Sequence, residues 1–196
     1  DITDARENED DGKSYFMDLF NLCSSLMQMI VACSKPVIAE VNGLATAAGC
    51  QLVASCDLAI ASDSSKFATP GVNIGLFCST PMVALSRNVN KKDAMKMLLT
   101  GDTIDASEAK RISLINDHVS EEKLKDVVMS LAMKISVKSH MAVKVGKEAF
   151  YYQYEMSLSD AYTYTSKVMT KNSLTDDAKE GIASFLEKRE PIWKNN

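Results

Sequence analysis

The chain has 196 residues, of which 46% are hydrophobic and 24% charged, and its formal net charge is −4 at neutral pH. These values are those of an ordinary globular protein, and the chain is long enough to bury a core. The acidic balance argues against a nucleic-acid partner, because phosphate binding requires a basic surface. No apolar run approaches the roughly 20 residues of a membrane span, so we expect no membrane span.

The five cysteines form no CxxC pair and only two histidines are present, so a zinc site is not expected. An odd number of cysteines among apolar residues is typical of reduced thiols in an intracellular protein. The chain starts with Asp1 and shows no signal-peptide pattern. We therefore expect a processed product or part of a longer protein, with any targeting segment outside the sequence.

The N-terminal half predicts a loop, a helix and a small α/β layer. Residues 1–13 are polar and acidic, which is typical of a mobile loop, and Ser14 precedes a predicted helix that ends near Ala32. An Asn-Gly turn signal and a helix of small residues around Gly49 separate the predicted strands. These strands are 37–41, 56–61 and 66–69. Strand, helix and strand in this order indicate a parallel sheet.

From about residue 91 the sequence predicts almost only helices. Asp105 and Glu108 have the spacing of a capping box, and Ser120 precedes an amphipathic segment. The predicted helices are 92–99, 120–135, 139–153, 158–171 and 176–188. We expect an α/β core over 1–90 and a helical region over 91–196. Amphipathic helices that extend from a small body usually pack on a neighbour, which indicates an oligomer.

The segment NGLATAAGCQLVASCD, residues 42–57, carries the strongest signal for chemistry. A turn leads into a helix whose first residues, Ala47, Ala48 and Gly49, have almost no side chains. The unpaired amide hydrogens at a helix start, with the helix dipole, favour an oxygen that carries negative charge. Such amides can form an oxyanion hole for a thioester carbonyl. Close packing of the helix on a strand is the alternative explanation for the small residues.

Four segments in order resemble landmarks of the crotonase (enoyl-CoA hydratase/isomerase) superfamily. They are KPVIAEVNGLATAAGCQLVASCDLAIAS, FATPGVNIGLF, LLTGDTIDASEAKRISLIN and EGIASFLEKREPIW, and they fall within residues 35–196. The resemblance implies an α/β spiral of ββα units, whose N-terminal part is missing from this sequence, with a C-terminal helical trimerisation region. It also implies a coenzyme A thioester as the ligand with no other cofactor, a homotrimer or hexamer, and mitochondria, while cytoplasm and peroxisome stay open.

The resemblance also assigns site residues. The family holds the thioester oxygen on two amide hydrogens, of which one matches Ala48 and the other precedes the chain. The two glutamates of the hydratases match Gln51 and Gly71, and the carboxylate of the isomerases falls at about Ser79. None of these is acidic here. Because an amide takes up no proton near pH 7 and glycine has no side chain, hydration is expected to be weak or absent.

We expect a loop carrying Cys78, Ser79 and Thr80 to line the acyl pocket. The complete predicted pocket is Ala47, Gly49, Gln51, Gly71, Cys78 and Ser79. A catalytic Cys78 is the alternative to an apolar lining, and it would need a base or a helix N-terminus to form thiolate. Asp57 is expected to hold a loop rather than to do chemistry.

Phe185 and Lys188 are three residues apart and are expected to share a helix face. The resemblance implies that this pair reaches the coenzyme A bound to a neighbouring subunit, while a lysine covering a core phenylalanine is the alternative. Two other functions stay open for the chain. One is an active hydratase or isomerase that uses a water held by Gln51, and the other is a non-catalytic scaffold or an RNA-binding protein.

Overall fold

The computed structural model describes residues 12–195, and their contacts divide into two compact units. The first unit runs to Val31 and then from Val37 to Lys125, and the second contains Ala32–Pro36 and the residues from Asp126 onward. The predicted loop at 1–13 lies outside the described residues, except that Lys13 begins a helix. The predicted domain boundary at residue 90 rests on composition and stays a prediction.

Nine α-helices and six strands make up the described part of the chain. In chain order they are α1 (Lys13–Ala32), β1 (Ile38–Val41), β2 (Leu44–Thr46), α2 (Ala48–Ser55), β3 (Leu58–Ser62), β4 (Lys66–Ala68), α3 (Ser79–Asn88), α4 (Lys91–Thr100), β5 (Ile104–Asp105), α5 (Ala106–Arg111), β6 (Asp117–Val119), α6 (Glu121–Ser136), α7 (His140–Tyr154), α8 (Leu158–Ser173) and α9 (Asp176–Glu187). A 3-10 turn, Pro70–Ile74, follows β4.

The strands of the first unit form two small sheets of three strands each, β1-β3-β6 and β2-β4-β5. β1 pairs in parallel with β3, which pairs in parallel with β6, and the register aligns Ile38 with Leu58. In the other sheet β2 pairs in parallel with β4, and β4 pairs antiparallel with β5. Each strand therefore pairs with its counterpart in the next strand–strand–helix repeat. This is the spiral of ββα units that the sequence predicted, and the helical C-terminal region is present too.

Four elements of the first unit, β2, α3, β5 and β6, were not predicted from the sequence. β2 has only three residues, too few to show an alternating pattern, and it lies inside the segment predicted as a small-residue helix. The segment after the 3-10 turn was predicted as a loop, but α3 begins at Ser79. Pro81 lies in the first turn of α3, where the missing N–H costs no hydrogen bond, so proline does not break this helix.

Helix α1 has the length and mean hydropathy of a membrane-spanning segment, which the sequence reading did not expect. It is the one such helix among residues 12–195, with a mean hydropathy of 1.2 over 18 residues. Only Lys13 and Asp18 are charged in its 20 residues. Met27 is the buried residue of the helix, and Phe16 and Cys23 are half-buried, whereas Leu19 and Phe20 are exposed. A core helix of a globular protein passes the same test of length and composition.

A network of buried serine hydroxyls fixes the turn between β1 and β2. Ser65 Oγ donates to the Val41 carbonyl at 2.9 Å and accepts from the Gly43 amide at 3.1 Å. Ser62 and Ser65 share a further hydrogen bond of 2.7 Å. Both hydroxyls are fully buried, so these bonds satisfy groups that would otherwise be costly to bury. The network therefore sets the position at which β2 starts and, through β2, the start of α2.

In the second unit one carboxylate joins the start of α7 to the C-terminal segment. Asp177 is 3% exposed and accepts hydrogen bonds from the Ser139 hydroxyl and from the amides of Lys194 and Asn195. Ser139 also caps α7 by accepting from the Ala142 amide. The hydrogen bond from Ser139 is the main cause that holds the pKa of Asp177 below its ordinary value, with the two amides adding to it.

Replacing Asp177 with asparagine should therefore destabilise the chain in a pH-dependent way. A lowered carboxyl pKa contributes stability above the unfolded value of about 3.9, and this contribution is lost as pH falls through the folded value. We expect Asp177→Asn to lower the thermal midpoint at pH 7. The difference in thermal midpoint between the variant and wild type should become smaller below about pH 4. Thermal denaturation followed by circular dichroism between pH 7 and pH 3 measures this. A difference in thermal midpoint that does not change with pH would contradict a stabilising role for the charge of Asp177.

Candidate functional site

The site is built where β2 ends and α2 begins. The Ala47 amide donates to the Ala68 carbonyl at 3.0 Å, which extends the pairing of β2 with β4 by one residue. Ala47 then adopts φ 48° and ψ −111°, in the region that non-glycine residues rarely enter. Backbone strain of this kind costs on the order of 1–3 kcal/mol and is concentrated at functional sites. The strained residue turns the chain sharply into α2.

The first turn of α2 lies partly at the surface of the first unit. Ala48 is exposed and Gly49 is partly exposed, while Cys50 is buried. The first intrahelical bond is donated by the Gln51 amide to Ala47, so the amides of residues 48–50 have no helical acceptor. A Cβ added at Gly49 would meet no described atom within 4 Å. Exposed donors at the positive end of a helix, with open space beside them, suit an oxygen that gains negative charge.

The Gln51 side chain lies inside the first unit. It is 4% exposed, and its Oε1 accepts a long hydrogen bond of 3.7 Å from the Cys23 thiol of α1. Its backbone carbonyl accepts from the Ser55 hydroxyl at 2.8 Å. Gln51 is one turn after Ala48, so its side chain and the first-turn amides belong to the same end of α2. A neutral amide held by a thiol offers neither acid nor base to a ligand.

The volume beside Gly71 is already filled. A Cβ built on Gly71 would lie 2.9 Å from Cys78 Sγ, 3.0 Å from the Leu76 carbonyl and 3.2 Å from the Cys78 amide. The Leu76 amide also donates to the Gly71 carbonyl at 2.9 Å, which closes the 3-10 turn onto the following segment. The Cys78 thiol thus occupies the place of a side chain at Gly71, and no larger residue fits there without moving the backbone.

Cys78 and Ser79 lie at the start of α3 rather than on a loop. Cys78 is the N-cap and is 7% exposed, and Ser79 is the first helical residue, with its hydroxyl donating to the Phe77 carbonyl at 3.3 Å. Burial raises the pKa of the Cys50 thiol to about 12, and Cys78 adds to this shift. Cys50 is therefore an inert core thiol.

The sequence analysis missed several groups that follow β4 along the chain. Thr69 follows the end of β4 and is fully buried, and its hydroxyl has no hydrogen-bond partner among the described residues. Ile74, Leu76 and Phe77 are exposed apolar residues that directly precede Cys78. No sequence signal marks Thr69 or the contact of Cys23 with Gln51, because both depend on residues that are distant along the chain.

Asp57 has the structural role predicted for it. Its Oδ2 accepts from the Val37 amide at 2.7 Å, and its own amide donates to the Val37 carbonyl at 3.0 Å. These bonds tie the entry of β1 to the entry of β3.

Phe185 and Lys188 belong to the second unit, and they do not share a helix face. α9 ends at Glu187, and Lys188 is its C-cap with φ 55° and ψ 42°, so its side chain departs from the helical direction. The prediction of a common face is wrong because the left-handed residue breaks the helical spacing. Phe185 is 82% exposed. The adjacent Arg189 pairs with Glu180 and Glu187, which leaves Lys188 as the unpaired cation of this segment within residues 12–195.

Comparisons with known proteins identify the family of the chain. The sequence model of the enoyl-CoA hydratase/isomerase family matches residues 3–196. Mitochondrial enoyl-CoA hydratase domain-containing protein 3 from Xenopus laevis is 54% identical over 185 residues, which cover 94% of this chain and 63% of that protein. The human protein of the same name is 50% identical over 187 residues, 95% of this chain and 62% of that protein. The mitochondrial location implied by the sequence agrees with these names.

Two solved structures have a fold similar to that of this chain. The crystal structure of human enoyl coenzyme A hydratase domain-containing protein 3 has a TM-score of 0.91 at 50% identity, covering 96% of this chain and 74% of that one. An enoyl-CoA hydratase from Mycobacterium smegmatis has a TM-score of 0.90 at 47% identity, covering 92% and 70%.

The chain spans less than two thirds of the length of the curated relatives just described. With the family match over residues 3–196 and the shared fold, the chain belongs to the enoyl-CoA hydratase/isomerase family.

Proposed function

We propose that the chain binds acyl-CoA or enoyl-CoA thioesters, holds the thioester oxygen on the Ala48 amide, and hydrates enoyl-CoA weakly or not at all. The observation that carries this proposal is the first turn of α2. Its amides are without an acceptor among the described residues, and the space beside Gly49 is open. A thioester oxygen is the family's ligand group that suits such donors, because its charge increases as the α-carbon loses a proton.

The lining of this site supports an acyl chain. Ala47, Ala48 and Gly49 let a ligand approach the backbone, and Ile74, Leu76 and Phe77 expose apolar surface next to Cys78. Burying apolar ligand surface against such residues is favourable by about 25 cal/mol per Å². The proposal therefore places the thioester at the start of α2 and the acyl carbons toward the start of α3.

Two features support weak hydration. The position of one family glutamate is the buried Gln51, and the position of the other is Gly71, whose side-chain volume is taken by Cys78. Loss of one general acid or base typically reduces a rate by about 10²–10⁴-fold. With both missing, binding without efficient hydration, or another reaction of the enolate, is the consistent function.

An assembly is part of the proposal. The second unit exposes apolar side chains on α9, including Ile182, Phe185 and Leu186. Exposed apolar residues in this number are typical of an interface. We propose a homotrimer or hexamer in which Phe185 and Lys188 contact the coenzyme A of a neighbouring subunit, the ring by stacking and the ammonium through phosphate. The net charge of −4 gives no support to the RNA-binding alternative.

Filling the space beside Gly49 should abolish binding without unfolding the chain. A leucine there meets no described atom at Cβ and improves helix propensity, but its branches would project into the proposed ligand space. We expect Gly49→Leu to weaken butyryl-CoA binding by at least about tenfold, which corresponds to roughly 1.4 kcal/mol. Isothermal titration calorimetry measures the affinity.

Gly146→Leu is the matched control for this experiment. Gly146 lies in α7, and an added Cβ there also meets nothing within 4 Å. The control should keep the affinity of wild type. Unchanged binding by Gly49→Leu would show that the thioester does not lie at α2, and no binding by wild type would overturn the proposal.

The close contact between Gly71 and Cys78 predicts that a methyl group added at residue 71 destabilises the chain. Gly71→Ala places a methyl group 2.9 Å from Cys78 Sγ and 3.0 Å from a backbone carbonyl, so it should destabilise the chain by about 1–3 kcal/mol. Gly49→Ala, in open space, should be neutral or stabilising. Thermal denaturation of both variants and of Gly71→Ala combined with Cys78→Ala tests this. The double variant should recover only part of the loss, because the carbonyl contact remains.

Restoring one acid should not restore hydration. Gln51→Glu puts a carboxyl group in a buried position, where desolvation raises the carboxyl pKa, and Gly71 still lacks a partner acid. We expect the rate of crotonyl-CoA hydration, followed by the loss of the enoyl thioester absorbance, to rise less than about tenfold. A gain of about a hundredfold or more would instead favour the alternative in which a water held at residue 51 does the chemistry.

A further inference from the structure

The start of α3 carries a cysteine thiol, Cys78, that lies close to the backbone of Gly71. Cys78 Sγ lies in the volume that a side chain at Gly71 would occupy, and Cys78 belongs to the same buried core cluster as Cys50 in the first turn of α2. The thiol therefore packs in the same core as the helix whose first-turn amides are proposed to hold the thioester oxygen. The β-carbon of an enoyl thioester is only two bonds from the thioester carbonyl carbon.

The surroundings of Cys78 differ from those of the other thiols. Cys78 is the N-cap of α3, a ten-residue helix, so its thiol lies at the amide end of that helix. Cys50 lies within α2 and is almost fully buried, while Cys33 is exposed. Cys78 is 7% exposed, so a ligand seated in the site would reach it more readily than a reagent in bulk solvent.

A second, independent observation also points to a ligand. The Thr69 hydroxyl is completely buried with no partner among the described residues, two residues before Gly71. Buried hydroxyls almost always have a partner, so the Thr69 hydroxyl is free to bond a water or a polar group of a ligand. β2 and β4 align Thr46 with Ala68, which places Thr69 and Ala47 at the same carboxyl edge of the sheet.

We propose that Cys78 is a nucleophile that captures α,β-unsaturated acyl thioesters by conjugate addition. This inference rests on the proposed function, because the ligand must first bind at α2. The sulfur–hydrogen bond breaks and a bond forms between sulfur and the β-carbon. The electron pair of the double bond moves to the α-carbon through the enolate on the Ala48 amide, and the thiol proton ends on the α-carbon. The product is a thioether that retains the whole coenzyme A thioester, and no oxidant or reductant is needed.

Mass spectrometry of the full chain tests this. The protein is incubated with crotonyl-CoA or with butyryl-CoA, which has no double bond, quenched with acid, and measured intact and after digestion. We expect crotonyl-CoA to add its complete mass to Cys78 and butyryl-CoA to add nothing. Cys78→Ser should lose at least nine tenths of the adduct, whereas Cys33→Ser should form it as wild type does. Circular dichroism establishes that both variants are folded.

The outcomes separate the two proposals. If butyryl-CoA binds by calorimetry but crotonyl-CoA leaves no adduct on Cys78, the capture is refuted and the binding function stands. If neither thioester binds, both fail. An adduct on Cys33, or one with the mass of the crotonyl group alone, also overturns the inference, because the first is non-specific and the second places sulfur at the thioester carbonyl.

Discussion

The parallel pairing of β2 with β4 is the constraint on which the candidate site depends. It continues through the hydrogen bond from the Ala47 amide to Ala68, and it holds Ala47 in a backbone conformation that an alanine rarely adopts. That residue joins β2 directly to α2, whose amides at residues 48–50 have no helical acceptor. The buried serines beside Gly43 fix where β2 starts, so they support the site although they are remote from any ligand.

The second feature of the site is the space beside Gly71, which is filled by another side chain. At Gly71 the Cys78 thiol occupies the volume in which a side chain would lie. The backbone of the 3-10 turn closes onto Leu76 and Cys78, so glycine is the residue that the packing permits. Gln51 is a neutral side chain, buried and in contact with the Cys23 thiol. Under the proposed function, these neutral groups stand where a hydratase would need acid–base groups.

The second unit depends on polar contacts at its ends rather than on a large core. Asp177, with Ser139, holds the C-terminal segment at the start of α7, and the Trp193 indole donates to the Val137 carbonyl at 2.8 Å. Glu180 accepts from Arg189 and from the Ile192 amide, with Arg189 as the main cause that lowers its pKa to about 2. These bonds order the segment that carries Phe185 and Lys188, and they leave much apolar helix surface uncovered within the chain.

The sequence by itself determined the fold class, the family and most elements. Helical periodicity and caps such as Asp105 act over a few residues, so α1 and α4 to α9 could be read locally, as could the small residues at 47–49 that expose the start of α2. Tertiary structure decided the three-residue β2, the left-handed Lys188, and the contacts of Cys78 with Gly71 and of Cys23 with Gln51. These depend on residues brought together by strand pairing and helix packing, and no local pattern along the chain records which side chains will meet.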